Sequence, residues 1–308
     1  MHILLTGSTG FVGRLTAERL AAAGHTITGV SRSGPRPGSV RNDGTKINAI
    51  VCDLGDRNQT AKVFDAVEKI DCVIHLAGQT FKKGAADAHI YFDGNHSSTL
   101  NILECCRTHR IPRVVYSSTI AVYGLAQGQA LPDYLPVDEK HRIRPYDFYD
   151  LSKAQAESLV EYYSGRYGIA GTILRYSRIY GPGTEKAIVY SAIMNARENK
   201  PIQIMGDITS DFVYVGDAAD ANVAAATQTQ PFGVFNIGSG EEVSLYDLCS
   251  SIVKLCNSGS ELVYIKEPRA RFSLDITRAR NLLQYRPIGL QEGLSKTIRS
   301  INDSYGRY

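Results

Sequence analysis

The sequence predicts a doubly wound α/β fold, in which a parallel sheet is covered by helices on both faces, with a smaller α/β lobe beside it. Amphipathic segments separate a series of apolar runs, and the first such segment, residues 14–24, ends at Gly24, a residue type favoured just after a helix. The runs lack the polar alternation of half-exposed strands, as expected of parallel strands buried on both faces. They are residues 2–6, 26–30, 48–52, 72–77, 113–118 and 171–176.

Beyond about residue 178 the alternation of strands and helices weakens. We expect the sheet domain to comprise residues 1–177 and 207–243, and the smaller, substrate-binding lobe to comprise residues 178–206 and 244–308. A chain of 308 residues is long for a single hydrophobic core, which agrees with a division into a sheet domain and a smaller lobe. Residues 31–46 are rich in Gly, Pro and Ser and predict a loop near the ligand-binding edge of the sheet.

Charge and composition exclude several classes of protein. With 34 Lys and Arg against 31 Asp and Glu, the net charge of +3 is too small to predict a nucleic-acid or membrane partner. No apolar run approaches the roughly 18 residues of a membrane helix, and the N-terminus lacks a secretory pattern. The six cysteines form no CxxC pair and the seven histidines show no metal-binding spacing. We therefore expect a cytoplasmic protein with reduced thiols and no bound metal.

A glycine-rich turn joins the first predicted strand to the first predicted helix. It reads G-S-T-G-F-V-G over residues 7–13, which is GxxGxxG rather than GxGxxG spacing. Glycine permits a tight turn and lets backbone N–H groups approach a pyrophosphate, and the helix N-terminus adds partial positive charge. A plain strand–helix turn is the alternative. The position after a strand favours a dinucleotide bound at Gly7, Thr9, Gly10, Phe11, Val12 and Gly13.

The end of the second predicted strand indicates which dinucleotide binds. An Asp or Glu there usually bonds the adenine ribose of NAD, whereas this chain has Ser31, Arg32 and Ser33. A guanidinium flanked by hydroxyls suits a 2′-phosphate. The sequence therefore predicts NADP(H), with NAD(H) as the alternative. In the competing interpretation, Arg32 is simply a solvated loop residue.

Three side chains predict carbonyl–alcohol chemistry at this edge of the sheet. Thr119 follows the fifth predicted strand in SSTIAVYG, residues 117–124, and Tyr149 and Lys153 share a face of the helix that begins with YDLSK. The charge of Lys153 should stabilise tyrosinate and lower the pKa of Tyr149, so that the phenol acts as general acid and base near neutral pH. Thr119 should hydrogen-bond the reacting oxygen, and Lys153 should also hold the nicotinamide ribose.

These motifs resemble those of the extended short-chain dehydrogenases/reductases, in the NAD-dependent epimerase/dehydratase family that acts on sugar nucleotides. The resemblance runs almost from end to end. It is carried further by CDLGD (52–56), HLAG (75–78), Asn95, LRYSRIYGPG (174–183), SDFVYVGDAADA (210–221), FNIGSGEEVSLYDL (235–248) and DITRARNLLQYRP (275–287). It implies a Rossmann sheet, a nucleoside-diphosphate sugar as substrate and a homodimer formed through the helices after the fourth and fifth strands.

The resemblance also implies contacts for individual residues. Those implied to contact the cofactor, beyond the glycine turn and residues 31–33, are Asp53, Leu54, Leu76, Ala77, Gly78, Asn95, Ser117, Tyr149, Lys153 and Tyr176. Those implied to contact the substrate are Gln79, Thr80, Thr119, Arg178, Ser210 and Arg271.

Departures from the family pattern narrow the expected reaction. Family 4,6-dehydratases have an Asp–Glu pair directly after the catalytic Thr, where this chain has Ile120 and Ala121, so elimination of water is not expected. Many members have Asn at the position of Arg178 and Arg at the position of Ser210, both of which touch the substrate diphosphate. Either Arg178 takes over the anion contact, or the substrate is not a standard diphosphosugar. Arg271, with Arg269, favours the first alternative.

We expect an NAD(P)-dependent enzyme that transfers hydride at a ring carbon of a nucleoside-diphosphate sugar. C4 is the expected carbon, and a 4-epimerase is favoured. One alternative is an NADPH-dependent reductase of a 4-keto sugar nucleotide, because Arg32 predicts an exchanging NADP cofactor. A second alternative is an NADPH reductase of a small non-nucleotide carbonyl. A redox-sensing protein without activity is disfavoured because Thr119, Tyr149 and Lys153 are all present.

Overall fold

The structure, a computed structural model, describes residues 1–34, 48–81, 87–125, 131–184, 188–206, 208–228, 233–265 and 270–305. The chain divides into two compact units. The first comprises Met1–Val122, Ile143–Arg175 and Ala219–Phe235, and the second comprises Tyr123–Arg142, Tyr176–Ala218 and Asn236–Tyr308. Three segments that the sequence analysis assigns to the sheet domain group instead with the second unit. They are residues 123–142, 207–218 and 236–243.

Strands and helices alternate along the chain. The first half contains β1 (His2–Thr6), α1 (Phe11–Ala22), β2 (Thr26–Ser31), β3 (Asn48–Val51), α2 (Arg57–Asp65), β4 (Cys72–His75), α3 (Ala88–Tyr91), a π-helix (Phe92–Ser97), α4 (Ser98–Thr108), β5 (Arg113–Thr119), a 3₁₀ turn (Ile120–Tyr123), α5 (Phe148–Tyr167) and β6 (Ala170–Tyr176). The second half contains β7 (Arg178–Tyr180), α6 (Ile188–Arg197), β8 (Ile202–Met205), β9 (Thr209–Ser210), β10 (Phe212–Tyr214), α7 (Val215–Thr227), β11 (Gly233–Ile237), β12 (Val243–Ser244), α8 (Leu245–Leu255), β13 (Leu262–Ile265), α9 (Thr277–Leu282) and α10 (Leu290–Tyr305).

The central sheet has seven strands in the order β3-β2-β1-β4-β5-β6-β11. The pairs β3–β2, β2–β1, β1–β4 and β4–β5 are parallel. The strand order reverses between β1 and β4, and there Thr6 pairs in register with Val30 on one side and with His75 on the other. In open α/β sheets, ligands bind outside the carboxyl ends of the strands at such a switch point. The predicted doubly wound α/β fold is therefore confirmed.

The core of the first unit explains why its strands read as uninterrupted apolar runs. Leu4, Val73 and Val114 are at most 1% exposed, because helices cover both faces of the sheet. Full burial of such a side chain contributes about 1.5–3 kcal/mol to folding. Asp147 caps the N-terminus of helix α5, and its carboxylate accepts the N–H of Asp150 at 2.9 Å.

The second unit contains short strand pairs and its own helical core. Strands β7 and β10 pair in parallel, as do β8 and β13, whereas β9 and β12 are antiparallel. Tyr180, Ile193, Leu248, Ile252 and Leu294 form the centre of the core. None of the helices in the described part of the chain is long and apolar enough to cross a membrane.

Candidate active site

The glycine turn between β1 and α1 is closely packed against neighbouring backbone. Gly7 has a φ of +67°, and its N–H donates to Val30 O at 2.8 Å. A Cβ at Gly7 would lie 2.8 Å from Ala77 N, and a Cβ at Gly13 would lie 2.0 Å from Gly7 O. Only glycine fits at these two positions, because both neighbours are backbone atoms with fixed positions.

The N-terminus of α1 fits a pyrophosphate. The first N–H groups of an α-helix have no acceptor within the helix. Here Gly10 precedes the helix, supplies no side-chain cap, and is followed by a first turn without acidic residues. These N–H groups and the helix dipole favour an anion at this end. Thr9, Phe11 and Val12 therefore lie where the sequence predicts cofactor contacts.

The ends of β2 and β3 form the side of the site where the adenosine of a dinucleotide is expected. Ser31 is buried, and its carbonyl accepts the N–H of Cys52 at 3.1 Å. Arg32, Ser33 and Asp53 are exposed. Asp53 accepts the N–H of Gly55 at 3.1 Å, while Leu54 is buried. Much of the predicted loop at 31–46 falls within residues 35–47, outside the described residues.

A buried hydrogen-bond chain joins β1 to β4 below this edge. Thr6 Oγ1 bonds His75 Nδ1 at 2.7 Å and accepts the N–H of Ala77 at 3.1 Å. Burial, and secondarily the charge of Lys153, lowers the pKa of His75 to about 3, so the ring is neutral. This chain positions Leu76 and Ala77 against Gly7. The sequence analysis did not identify Thr6 or His75 as site residues, since only the strand register brings them together.

Asn95 ties the loop after β4 to helix α5. Its Oδ1 accepts the N–H of Gln79 at 2.8 Å, and its Nδ2 donates to Gln79 O at 3.1 Å and to Ser152 Oγ at 3.0 Å. Ser152 Oγ in turn donates to Tyr149 O at 2.8 Å. The amide of Asn95 thus positions Gln79 and α5, and its cofactor contact remains a prediction. Ser152, inside the YDLSK motif, was missed. Thr80 follows Gln79 and is exposed.

The three predicted catalytic residues come together in the first unit. Thr119, at the end of β5, lies near enough to the phenol of Tyr149 to act on its pKa. Lys153 is 6% exposed; its Nζ donates to Ser117 O at 2.8 Å and lies 4.9 Å from the centre of the Tyr116 ring. A Cβ at Gly78 would lie 3.4 Å from this Nζ, which places the ammonium beside the loop after β4. This arrangement suits proton exchange with a hydroxyl held at the sheet edge.

The pKa values of Tyr149 and Lys153 contradict the expectation that the pKa of Tyr149 is lowered. The pKa of Tyr149 is raised to about 12, mainly because burial disfavours the phenolate. The nearby Thr119 side chain opposes this rise in the pKa. Asp150 and Asp147 raise it further. Burial also lowers the pKa of Lys153 to about 8. The expected lowering fails mainly because burial disfavours the phenolate, and secondarily because carboxylates precede and follow Tyr149.

The remaining predicted contacts belong to the second unit. Arg178 Nε donates to Ser210 Oγ at 2.9 Å. Arg271 donates to both carboxylate oxygens of Glu242, at 2.6 and 3.1 Å. Tyr176 is buried. The sequence-based role of these residues in substrate or cofactor binding remains a prediction, and Arg269 lies outside the described residues.

The second unit also contains a cavity of about 650 Å³. Its lining comes from one face of α6, from β8 and from β13, and includes Ile188, Asn195, Gln203, Met205 and Val263. Its size lies within the range of small-molecule sites. The described residues contain no group of three or more His, Cys, Asp or Glu placed to hold a metal ion.

Comparison with known proteins places the chain among sugar-nucleotide enzymes. The family model described as NAD dependent epimerase/dehydratase family matches residues 3–238. A curated protein of Methanocaldococcus jannaschii, provisionally named a UDP-glucose 4-epimerase, is 34% identical over 309 residues, covering 96% of this chain and 97% of the relative.

Two solved structures agree along the whole chain. The UDP-glucose 4-epimerase of Thermotoga maritima, crystallised with UDP-glucose, is 26% identical with a TM-score of 0.86 and covers 99% of this chain and 100% of its own. The UDP-glucuronic acid 4-epimerase of Bacillus cereus, crystallised with UDP-glucuronic acid and NAD, is 28% identical with a TM-score of 0.84 and the same coverage. A family match over most of the chain and a relative above 30% identity show that this chain belongs to the NAD-dependent epimerase/dehydratase family, as its motifs predict.

Proposed function

We propose that this chain is a nicotinamide-dependent 4-epimerase of a UDP-sugar. The observation that carries the proposal is the placement of Thr119 near enough to the Tyr149 phenol to lower its pKa, with Lys153 on the same helix as Tyr149 and beside Gly78. Such a constellation supports removal of a proton from a sugar hydroxyl while hydride leaves the same carbon. The relatives described above are named as 4-epimerases of UDP-glucose or UDP-glucuronic acid, which supports C4 as the reacting carbon.

In this reaction Tyr149 takes the proton of the sugar 4-hydroxyl and later returns it, while Thr119 holds the reacting oxygen. The glycine turn from Gly7 to Gly13 would hold the dinucleotide, whose nicotinamide would supply a reversible hydride acceptor for C4 of the sugar. Because burial raises the pKa of Tyr149 to about 12, its phenolate requires a nearby cation. The Lys153 ammonium, one helical turn away on α5, is placed to supply that charge.

The competing reactions are less well supported. Elimination of water needs an acid–base pair beside the sugar, whereas buried Ile120 and Ala121 follow Thr119. The two reductase alternatives are not favoured, because the named relatives interconvert epimers.

For the adenosine end of the cofactor, we propose NAD(H). The Bacillus cereus relative crystallised with NAD supports this choice. The NADP(H) predicted from the sequence depends on Arg32, whose side chain is exposed. Dissociation constants of both dinucleotides, measured for the native chain and for Arg32→Ala, decide between them. Tighter binding of NADP(H) that is lost in the variant would contradict NAD(H).

For the substrate diphosphate, we propose Arg178 as the main contact. Its guanidinium reaches Ser210, the position at which many members of the family carry an arginine. Arg178 is exposed at the start of β7, so its guanidinium is accessible to an anion. Arg271 is already bound to Glu242. We expect Arg178→Gln to weaken UDP binding about tenfold and Arg271→Gln to weaken it much less.

For the nucleotide base, we propose the cavity lined by α6, β8 and β13. A nucleoside fits a volume of about 650 Å³, and both Gln203 and Asn195 offer amide groups at its wall. A thermal-unfolding panel of UDP, GDP, CDP and dTDP measures the selectivity. At equal concentration, a ligand that binds more tightly raises the melting temperature more, so UDP should give the largest shift.

We also propose a cytoplasmic homodimer formed by the exposed face of α4 and α5. Tyr162 and Tyr167 on this face are 59% and 45% exposed, and Arg107 lies over the Tyr167 ring at 5.5 Å. Tyrosine and arginine are enriched at interfaces. Light scattering should give twice the chain mass of 33.7 kDa. A Tyr162→Glu and Tyr167→Glu double variant should be monomeric.

The experiment that tests the activity follows interconversion of UDP-sugars by NMR. Native protein should convert UDP-glucose or UDP-glucuronic acid to its 4-epimer without net consumption of dinucleotide. Tyr149→Phe should lose about a thousandfold in kcat while still binding dinucleotide. The matched control is Tyr246→Phe, an exposed tyrosine on α8. Stoichiometric oxidation of NADPH with a 4-keto sugar nucleotide, and no epimer, would refute the proposal in favour of a reductase.

A further inference from the structure

A buried ion pair lies directly behind the catalytic residues. Arg175 on β6 donates from Nε to Glu157 Oε1 at 3.0 Å and from Nη2 to Oε2 at 2.6 Å. Both side chains are only 5% exposed. Ser118, the residue before Thr119, also donates its hydroxyl to Glu157. A carboxylate in this setting is fixed in place, because three hydrogen bonds from two strands hold it.

The same carboxylate faces the catalytic lysine. Glu157 lies four residues after Lys153 on α5, so both occupy one face of the helix. The other titratable groups around the ammonium are His75 on β4, which is neutral, and Tyr116 on β5. Burial lowers the pKa of Lys153, and the negative charge of Glu157 opposes that effect. Among these neighbours, Glu157 alone carries a negative charge.

We propose that Glu157 is a positioning residue, whose carboxylate, fixed by Arg175 and Ser118, keeps the Lys153 ammonium charged and directed at the site. The role rests on the proposed function, since it concerns the cation that the phenolate of Tyr149 requires. Arg175 has two tasks in this scheme. It pairs with the buried carboxylate of Glu157, and it fixes the orientation of that carboxylate. The hydrogen bond from Ser118 also ties the carboxylate of Glu157 to the end of β5, where Thr119 lies.

The test measures the protonation of Lys153 directly. Protein labelled with ¹⁵N-lysine is titrated by NMR, and the Nζ resonance is assigned by its absence in Lys153→Arg. In Glu157→Gln, which keeps the shape of the side chain, the apparent pKa of Lys153 should fall by about one unit. Glu161→Gln removes an exposed carboxylate one turn further along α5 and serves as the matched control, with no change expected.

Because Glu157→Gln removes the carboxylate that the buried Arg175 contacts and could unfold the protein, the double variant Glu157→Gln/Arg175→Gln is measured as well. Glu157→Gln should show the lowered pKa of Lys153, and the double variant should show a smaller fall, because the loss of the Arg175 charge offsets part of the loss of the carboxylate. In turnover, the loss relative to native protein should be about fivefold in kcat at pH 8 and nearly absent at pH 6, with little change in KM. A purely structural role predicts an equal loss at both pH values.

The result that would overturn the proposal is a folded Glu157→Gln variant in which Lys153 titrates as in native protein, or a double variant whose loss of kcat is the same at pH 6 and pH 8. Failure of the proposed function gives a different result. Native protein would then fail to epimerise any UDP-sugar, while the NMR titration of Lys153 would still respond to Glu157→Gln.

Discussion

The sharpest test of the cofactor site is the substitution Gly13→Ala. Its Cβ would lie 2.0 Å from Gly7 O, 2.9 Å from Gly7 C and 3.1 Å from Ser8 Cα. Non-bonded carbon atoms are at their optimum at about 3.5–4.0 Å, so the start of α1 and the turn must separate by roughly 1 Å. Both sides of this contact are backbone, and no side chain can rotate away. Overpacking of this kind costs about 1–3 kcal/mol, and we expect the upper end here.

The displacement should affect binding more than folding. The N–H groups of α1 must point at the pyrophosphate to bind it. A misplacement of bound reactants by about 1 Å can lower a reaction rate about a hundredfold. Calorimetric titration with NAD(H) and NADP(H), together with thermal unfolding, measures both effects.

Gly165→Ala is the control for Gly13→Ala. Gly165 lies within α5, and nothing lies within 4 Å of where its Cβ would be. Alanine there should stabilise the protein by about 0.5–1 kcal/mol and leave binding unchanged. A Gly13→Ala protein that binds dinucleotide within about threefold of native and melts at the same temperature would refute the packing argument.

Three further predictions concern the buried polar groups. The ring of His75 stays neutral in the folded state because its pKa is about 3, whereas in the unfolded chain the ring is protonated below about pH 6.5. The unfolded state therefore gains a proton as the pH falls from about 7 to about 5. Over this range the native protein should lose about 2 kcal/mol of unfolding free energy relative to His75→Gln. Asn95→Ala removes the bridge to Gln79 and should cost about 1–3 kcal/mol in denaturant unfolding, with a larger loss of kcat than of dinucleotide affinity. Asp211 accepts the N–H groups of Ser239 and Gly240, so Asp211→Ala should destabilise the protein by at least about 2 kcal/mol in urea unfolding, and an unchanged midpoint would contradict this role.

Local chemistry explains what could be predicted from the sequence. The six predicted strands end within two residues of β1 to β6, because a run buried on both faces is visible in composition alone. Gly7 and Gly13 were identifiable because their role depends on the missing Cβ. The pairing of Tyr149 with Lys153 follows from helical spacing. Each of these depends on residues close together in the chain.

What could not be predicted depends on register and burial. The contacts of Thr6 with His75 and of Glu157 with Arg175 join residues 69 and 18 positions apart, and nothing in either local sequence specifies them. The raised pKa of Tyr149 depends on how completely the surrounding elements exclude water. The strands β9 and β12 have two residues each, too few to show any periodicity.

The π-helix at Phe92–Ser97 has a consequence for how this segment can vary. A π turn holds one residue more than an α turn, and each helical residue rotates the chain by about 100°. Removing a single residue between Phe92 and Asn95 would therefore swing the Asn95 amide away from Gln79 and Ser152 while leaving a regular helix behind. Over evolutionary time the length of this stretch should be more tightly constrained than its composition, and a one-residue deletion should be more harmful there than most substitutions.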